Sequence, residues 1–139
     1  MVGKGGKLLI GVDLKKETQI LNAAYNDAVG VTADFNLNVL QRMQVELDVD
    51  VDRSSFSHRA FYNEERGRIE MHLVSQCEQI MVVDGEEVPL TENETIHTEN
   101  SYKYHLGEFA ELSARAGFCV EQVWTDDQGL FSVQCLVVE

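Results

Sequence analysis

The sequence predicts a mixed α+β fold, and three observations point there. A compact apolar run, KLLIGVD over Lys7–Asp13, reads as a strand. Three stretches, around residues 19–25, 35–47 and 109–116, place apolar residues at helical spacing. Between them, Ile69, Met71 and Leu73 alternate with Glu70, His72 and Val74, and turn residues punctuate the neighbouring runs.

The elements follow in order. Gly3, Gly5 and Gly6 make a turn before the first strand, which is apolar enough to be expected buried inside a parallel sheet. A helix through Gln19, Ile20, Leu21, Ala23, Ala24 and Tyr25 is broken by Gly30. Thr32 is the expected cap of the next helix. Phe35, Val39, Leu40, Met43 and Leu47 form its apolar face, with Asn36, Asn38, Gln41 and Glu46 opposite. Strands are expected at Phe56–Asn63, Arg68–Ser75, Gln79–Val83 and 94–98, with turns at Gly67 and Asp84-Gly85. This reads as an antiparallel meander with one packed face. Phe109, Leu112 and Ala116 then share a helix face that Gly117 ends. Phe118–Thr125 and 130–138 close the chain as a hairpin across residues 126–129.

A chain of 139 residues, 44% hydrophobic and 25% charged, is one domain's worth with a sizeable core. The formal net charge of -13 opposes nucleic-acid binding, which needs a basic surface, and opposes charge-driven attachment to an anionic membrane. Cys77, Cys119 and Cys135 are an odd number without CxxC spacing, so buried free thiols in a reducing cytoplasm are expected. The opening residues 1–6 have no apolar stretch of a secretory leader, and no run approaches membrane-spanning length.

Glu99 and Ser101 are the first candidates for chemistry. In an extended segment, their spacing puts both side chains on one face. A carboxylate beside a hydroxyl suits a ligand with two ring nitrogens, such as imidazole. The competing reading makes Glu99 a solvated loop acid and Ser101 a helix cap. No metal site is expected, because His58, His72, His97 and His105 lack the spacing of known zinc motifs. Asp48, Asp50 and Asp52 mimic the start of a calcium loop. However, Arg53 stands where glycine is required and Arg59 where the bidentate glutamate should be. Cys77 and His72 have no obvious orienting acid for a thiol–imidazole pair and read as structural.

Several long motifs, in order, carry a family resemblance. They are GGKLLIGVD (5–13), AAYNDAVGVTADFNLNVL (23–40), RIEMHLVS (Arg68–Ser75), IHTENSYKY (96–104), and the closing Ala116-Gly117-Phe118, VWTD (123–126) and LFSV (130–133). Together they resemble the C-terminal part of the histidine-specific, S-adenosylmethionine (SAM)-dependent methyltransferases, which trimethylate the histidine α-amino group in ergothioneine biosynthesis. The resemblance implies the last part of a class I methyltransferase α/β sheet with an inserted antiparallel β/helical substrate-binding lobe. Within a single domain of residues 1–139, residues 1–16 and 102–139 would be sheet elements and 17–101 the lobe. It implies that Tyr25 binds the substrate's carboxylate end, that Glu99 and Ser101 hold the imidazole, and that Met71 lines the ring pocket. Without the resemblance, Tyr25 and Met71 read as core residues. Asn26 and Met43-Gln44 depart from the family pattern, which has an acid at the first position and an apolar–asparagine pair at the second.

The Gly-rich cofactor loop of this family should lie upstream, since Gly3, Gly5 and Gly6 follow no strand. The chain is therefore expected to carry no cofactor and no methyl transfer alone, and to use SAM when a SAM-binding partner subunit completes it. The alternatives are a stand-alone module for histidine or a related small amine, and a non-catalytic interaction subunit. An incomplete sheet has an open edge at its first strand, so self-association as a dimer is expected.

Overall fold

The computed structural model describes residues 3–139 and is α+β, with three α-helices and eight strands among them. Met1 and Val2 lie outside the described residues, and with them the start of the segment read as lacking a leader. The chain divides into two compact units. One holds the described residues through Glu17, Glu65–Gly67 and Tyr102–Glu139; the other holds Thr18–Glu64 and Arg68–Ser101.

The first unit is a three-stranded sheet in the order β1 (Lys7–Asp13), β8 (Phe131–Val138), β7 (Phe118–Thr125). Both pairings are antiparallel, from Lys7 opposite Val137 to Asp13 opposite Phe131 on one side of β8. This corrects the expectation of a buried parallel strand. Among the residues of β1, Val12 is buried while Leu9 is 66% exposed. The reason is the two-residue period. Helix α3 (Leu106–Arg115) supplies Phe109 to a core with Val12 and Leu136, which covers one face of the strand. The expected stop at Gly117 is present, with φ at 82°. The expected β7–β8 hairpin is present too, its turn tied by the Asp126 carboxylate, which accepts from the amides of Gln128, Leu130 and Phe131. Lys103, 2% exposed, donates to Asp13 at 2.8 Å.

The second unit is built on a sheet in the order β2 (Phe56–Asn63), β3 (Arg68–Ser75), β6 (Thr95–Tyr102, whose last residue falls in the first unit). Ile69, Met71 and Leu73 are at most 2% exposed, as the alternation predicts. Helix α1 (Thr18–Tyr25) drives Leu21 into Ala60, Ile69 and Met71. Its C-terminal end is pinned to the edge of β2. The Asn22 side chain accepts from the Tyr62 amide, and Asn26 both donates to and accepts from the backbone of Ala60. Helix α2 (Val31–Leu47) places Leu40 in a second cluster with Val49, Val51, Phe56, Leu73, Met81 and Leu90.

Four expectations are corrected in this unit and its neighbour. The start of α2 is capped by Asp27 rather than Thr32: its carboxylate accepts from the amides of Val31 and Thr32 at 2.9 and 3.0 Å. Asn36, expected on the polar side of α2, is 1% exposed, while Phe35 is 63% exposed. Burial of Asn36 is tolerated because its amide is fully hydrogen-bonded, as detailed below. A strand β5 (Glu86–Leu90) pairs antiparallel with β4 (Gln79–Val83) where none was expected, because EEVPL has neither alternation nor β-propensity. Pro89 fits there because this two-stranded ribbon leaves β5 an edge, and the Asp84-Gly85 turn supplies the two positive φ angles of a tight hairpin. Finally, Cys77 is exposed and Cys119 and Cys135 are half-buried. On β8, Ser132, Gln134 and Leu136 are buried, so Cys135 occupies the alternate face.

Candidate functional site

The second unit gathers all four sequence-predicted site residues. Tyr25 ends α1 and packs beside Leu21, Ala60, Ile69 and Met71, so the apolar face that docks the helix also aims the phenol. Its hydroxyl lies 2.8 Å from the Ser101 hydroxyl on β6, across 76 residues of sequence. Met71 is 2% exposed in the same cluster. Glu99 is half-buried two residues before Ser101 on β6. Its backbone carbonyl accepts from the His97 ring at 3.1 Å, and no described residue hydrogen-bonds to its carboxylate. The structure thus joins Tyr25, Met71 and Ser101 directly, with Glu99 on the same strand.

A polar network supports this group. Asn36 donates to His58 Nδ1 at 3.0 Å and to the His72 carbonyl at 3.1 Å, and accepts from the Thr98 hydroxyl at 2.6 Å. His58 Nε2 is 2.9 Å from the Tyr25 carbonyl. A carbonyl only accepts, so His58 carries its proton on Nε2 and leaves Nδ1 to accept from Asn36. Asn36 therefore ties α2 to β2, β3 and β6 and, through His58, to the end of α1. Sequence reasoning placed Asn36 on a solvated face. The available signal was its place one residue before Leu37 and four before Leu40, on the side of α2 that faces the core.

A second convergence was also missed. Glu70, His72 and His97 bring one ligand-type atom each to within 4.8 Å of one another. Two of the four histidines that lack motif spacing are thus neighbours in space: the His72 and His97 rings stack at 4.5 Å, and Phe61 stacks on His72 from 5.4 Å. Burial is the largest influence on His72 and holds its pKa below the ordinary histidine value. Arg68, assisted by His72 and Asn63, holds Glu70 below the ordinary carboxylate value against the effect of burial.

A family model described as histidine-specific methyltransferase, SAM-dependent, matches residues 1–138. The chain belongs to this family. Among curated relatives, it is 39% identical over 135 residues to a histidine N-alpha-methyltransferase of Mycolicibacterium smegmatis. It is 37% identical over 131 residues to one of Mycobacterium tuberculosis. These alignments take in 96% and 93% of this chain but 42% and 41% of the relatives. The chain therefore spans about two fifths of the length of the histidine-specific methyltransferases it matches.

The glycines nearest β1 do not form a glycine loop of the kind that cradles SAM. Where β1 passes into α1, the connection is residues 14–17, LKKE, which offers no glycine for close backbone approach to a cofactor. Added Cβ atoms at Gly3 and Gly5 would meet nothing within 4 Å, so these glycines line no cradle. No helix among the described residues is long and apolar enough to cross a membrane.

Proposed function

We propose that this chain is the substrate-recognising segment of a histidine N-alpha-methyltransferase. Tyr25 serves the carboxylate end of the amino acid, Glu99 and Ser101 serve the imidazole, and Met71 packs against the ring. The observation that carries the reading is the 2.8 Å approach of the Tyr25 and Ser101 hydroxyls, from residues far apart in sequence, in a chain of this family. A histidine spans about 5 Å between carboxylate and ring nitrogens. A ligand held at both ends therefore exchanges the Tyr25–Ser101 bond for bonds of its own.

Selectivity follows from the same groups. A half-buried carboxylate and hydroxyl left without ring nitrogens to bind would lose their hydrogen bonds, which penalises phenylalanine against histidine. Methylation further requires the neutral α-amine to be held in line with the methyl donor, and gripping both ends of the amino acid fixes that nitrogen between them. SAM would be held by residues corresponding to the part of the relatives outside the matched 41–42%. The class I sheet arrangement, an ergothioneine role and the cytoplasmic setting belong to this same reading. A second reading, a subunit completed by a SAM-binding partner or a second copy, is favoured by the edge position of β1 in its sheet.

Calorimetric titration of the chain with L-histidine and with L-phenylalanine tests the proposal. One-site binding of histidine, at least tenfold weaker in Glu99→Ala and in Tyr25→Phe, is expected. Equal binding of the two amino acids, or no heat with millimolar histidine, refutes it.

A further inference from the structure

The Glu70–His72–His97 cluster shares no side chain with the proposed histidine site. Four observations concern it. Both ring nitrogens of His72 are buried, and neither makes a well-formed hydrogen bond among the described residues, the Glu70 carboxylate being a long contact only. Such nitrogens are ordinarily satisfied. His72 Nε2 stands 3.5 Å from Glu70 Oε2. Two ligands on a tetrahedral Zn²⁺ are ~3.4 Å apart, given bonds of about 2.0–2.2 Å, so this pair is already at ligand spacing. Glu70 Oε1 accepts from Arg68 and Asn63, which orients the carboxylate and leaves Oε2 toward the imidazole. His97 Nε2 donates to the Glu99 carbonyl, which leaves the Nδ1 lone pair available.

We propose that Glu70, His72 and His97 form a binding site for a first-row divalent cation, with Zn²⁺ the best fit. Two imidazoles and one carboxylate suit the borderline metals, whereas Ca²⁺ and Mg²⁺ require oxygen ligands. Three protein ligands leave a fourth position for water. The rings of His72 and His97 are 18° from parallel, so one must tilt to bring both lone pairs onto one ion. His97 can do so, being exposed on β6, which lies at the edge of its sheet. Arg68, paired with Glu70, and Arg59, over the Phe61 ring, add positive charge nearby. That charge limits affinity and favours a reversibly bound ion over a permanent structural one.

The test is titration of the untagged chain with ZnCl₂ by calorimetry and with Co²⁺ by absorption. One equivalent should bind, Zn²⁺ and Co²⁺ should compete, and visible d–d bands should rise without thiolate charge transfer in the near ultraviolet. His97→Ala should weaken binding at least tenfold. Glu70→Gln, which keeps an oxygen for Arg68, is the second variant and should also weaken it should His97→Ala fail to fold. Absent saturation, affinity unchanged in the folded variants, or charge-transfer bands assigning the metal to Cys77, Cys119 or Cys135 would each overturn the site.

Discussion

Replacing Asn36 by alanine should destabilise the second unit well beyond what its small side chain suggests. The residue is 1% exposed and makes three hydrogen bonds, to His58, His72 and Thr98. Truncation leaves His58 Nδ1 and the His72 carbonyl without their donor. Thr98 keeps its alternative, the Met71 carbonyl at 3.0 Å, and so loses little. Two partly buried acceptors left unsatisfied cost ~1–3 kcal/mol each, and the vacated volume adds to this. A total of about 3–5 kcal/mol is expected. Urea unfolding followed by far-ultraviolet circular dichroism reads it as a lower midpoint at unchanged slope. The same change removes the contact that fixes the His58 tautomer and ring orientation, so its bond to the Tyr25 carbonyl is held less firmly and histidine affinity should fall. Combining Asn36→Ala with His58→Ala should give a coupling of about 1 kcal/mol or more, since the two share one hydrogen bond. A loss under ~1 kcal/mol for Asn36→Ala, or strict additivity in the double mutant, would refute the network argument.

Other perturbations follow from single contacts. The amides of Thr32 and Val31 hold the Asp27 carboxyl at about 2, below its ordinary 3.8. Its folded-state pKa is depressed, so its stabilisation is present above pH ~4 and disappears as pH falls toward 2. Acid titration of stability should therefore be shallower in Asp27→Asn over that window, and identical profiles would exclude the cap. Asn26→Asp removes the donor to the Ala60 carbonyl and sets a carboxylate beside it; thermal melting should show a loss of ~1–3 kcal/mol. Lys103→Met strips Asp13 of its buried partner, at a cost of about 3 kcal/mol that denaturant unfolding would register. The Asp13 carboxyl, now raised by burial and lowered by Lys103 and Lys16 to a net value below normal, should then titrate higher, which carboxylate-detected NMR can follow.

Much of the fold was legible because local pattern and environment agree. Ile69, Met71 and Leu73 alternate because one face of β3 is packed, and Gly117 ends α3 because only a positive φ closes that turn. The hairpin at 126–129 announced itself by its aspartates and glycine. The family, too, was readable from motifs in their order, and the match over residues 1–138 agrees. What misled was any inference that depends on which face another element covers. KLLIGVD is apolar on both faces and so reads as a buried strand of a parallel sheet, but α3 covers one face and β8 pairs with the strand antiparallel. EEVPL carries no strand pattern, and pairing with β4 makes it one.

The sequence by itself determined the α+β class, the existence of the three helices and of the closing hairpin, and the family, because these rest on local periodicity, turn chemistry and motif order. It also singled out Tyr25, Met71, Glu99 and Ser101 as residues to watch. Tertiary structure decided that Tyr25 meets Ser101, that Asn36 is buried and His58 holds the end of α1, and that Glu70, His72 and His97 converge. Those contacts join residues tens of positions apart. No local pattern encodes them, because they exist only once apolar burial has stacked α1 and α2 on the sheet and set β6 beside β3.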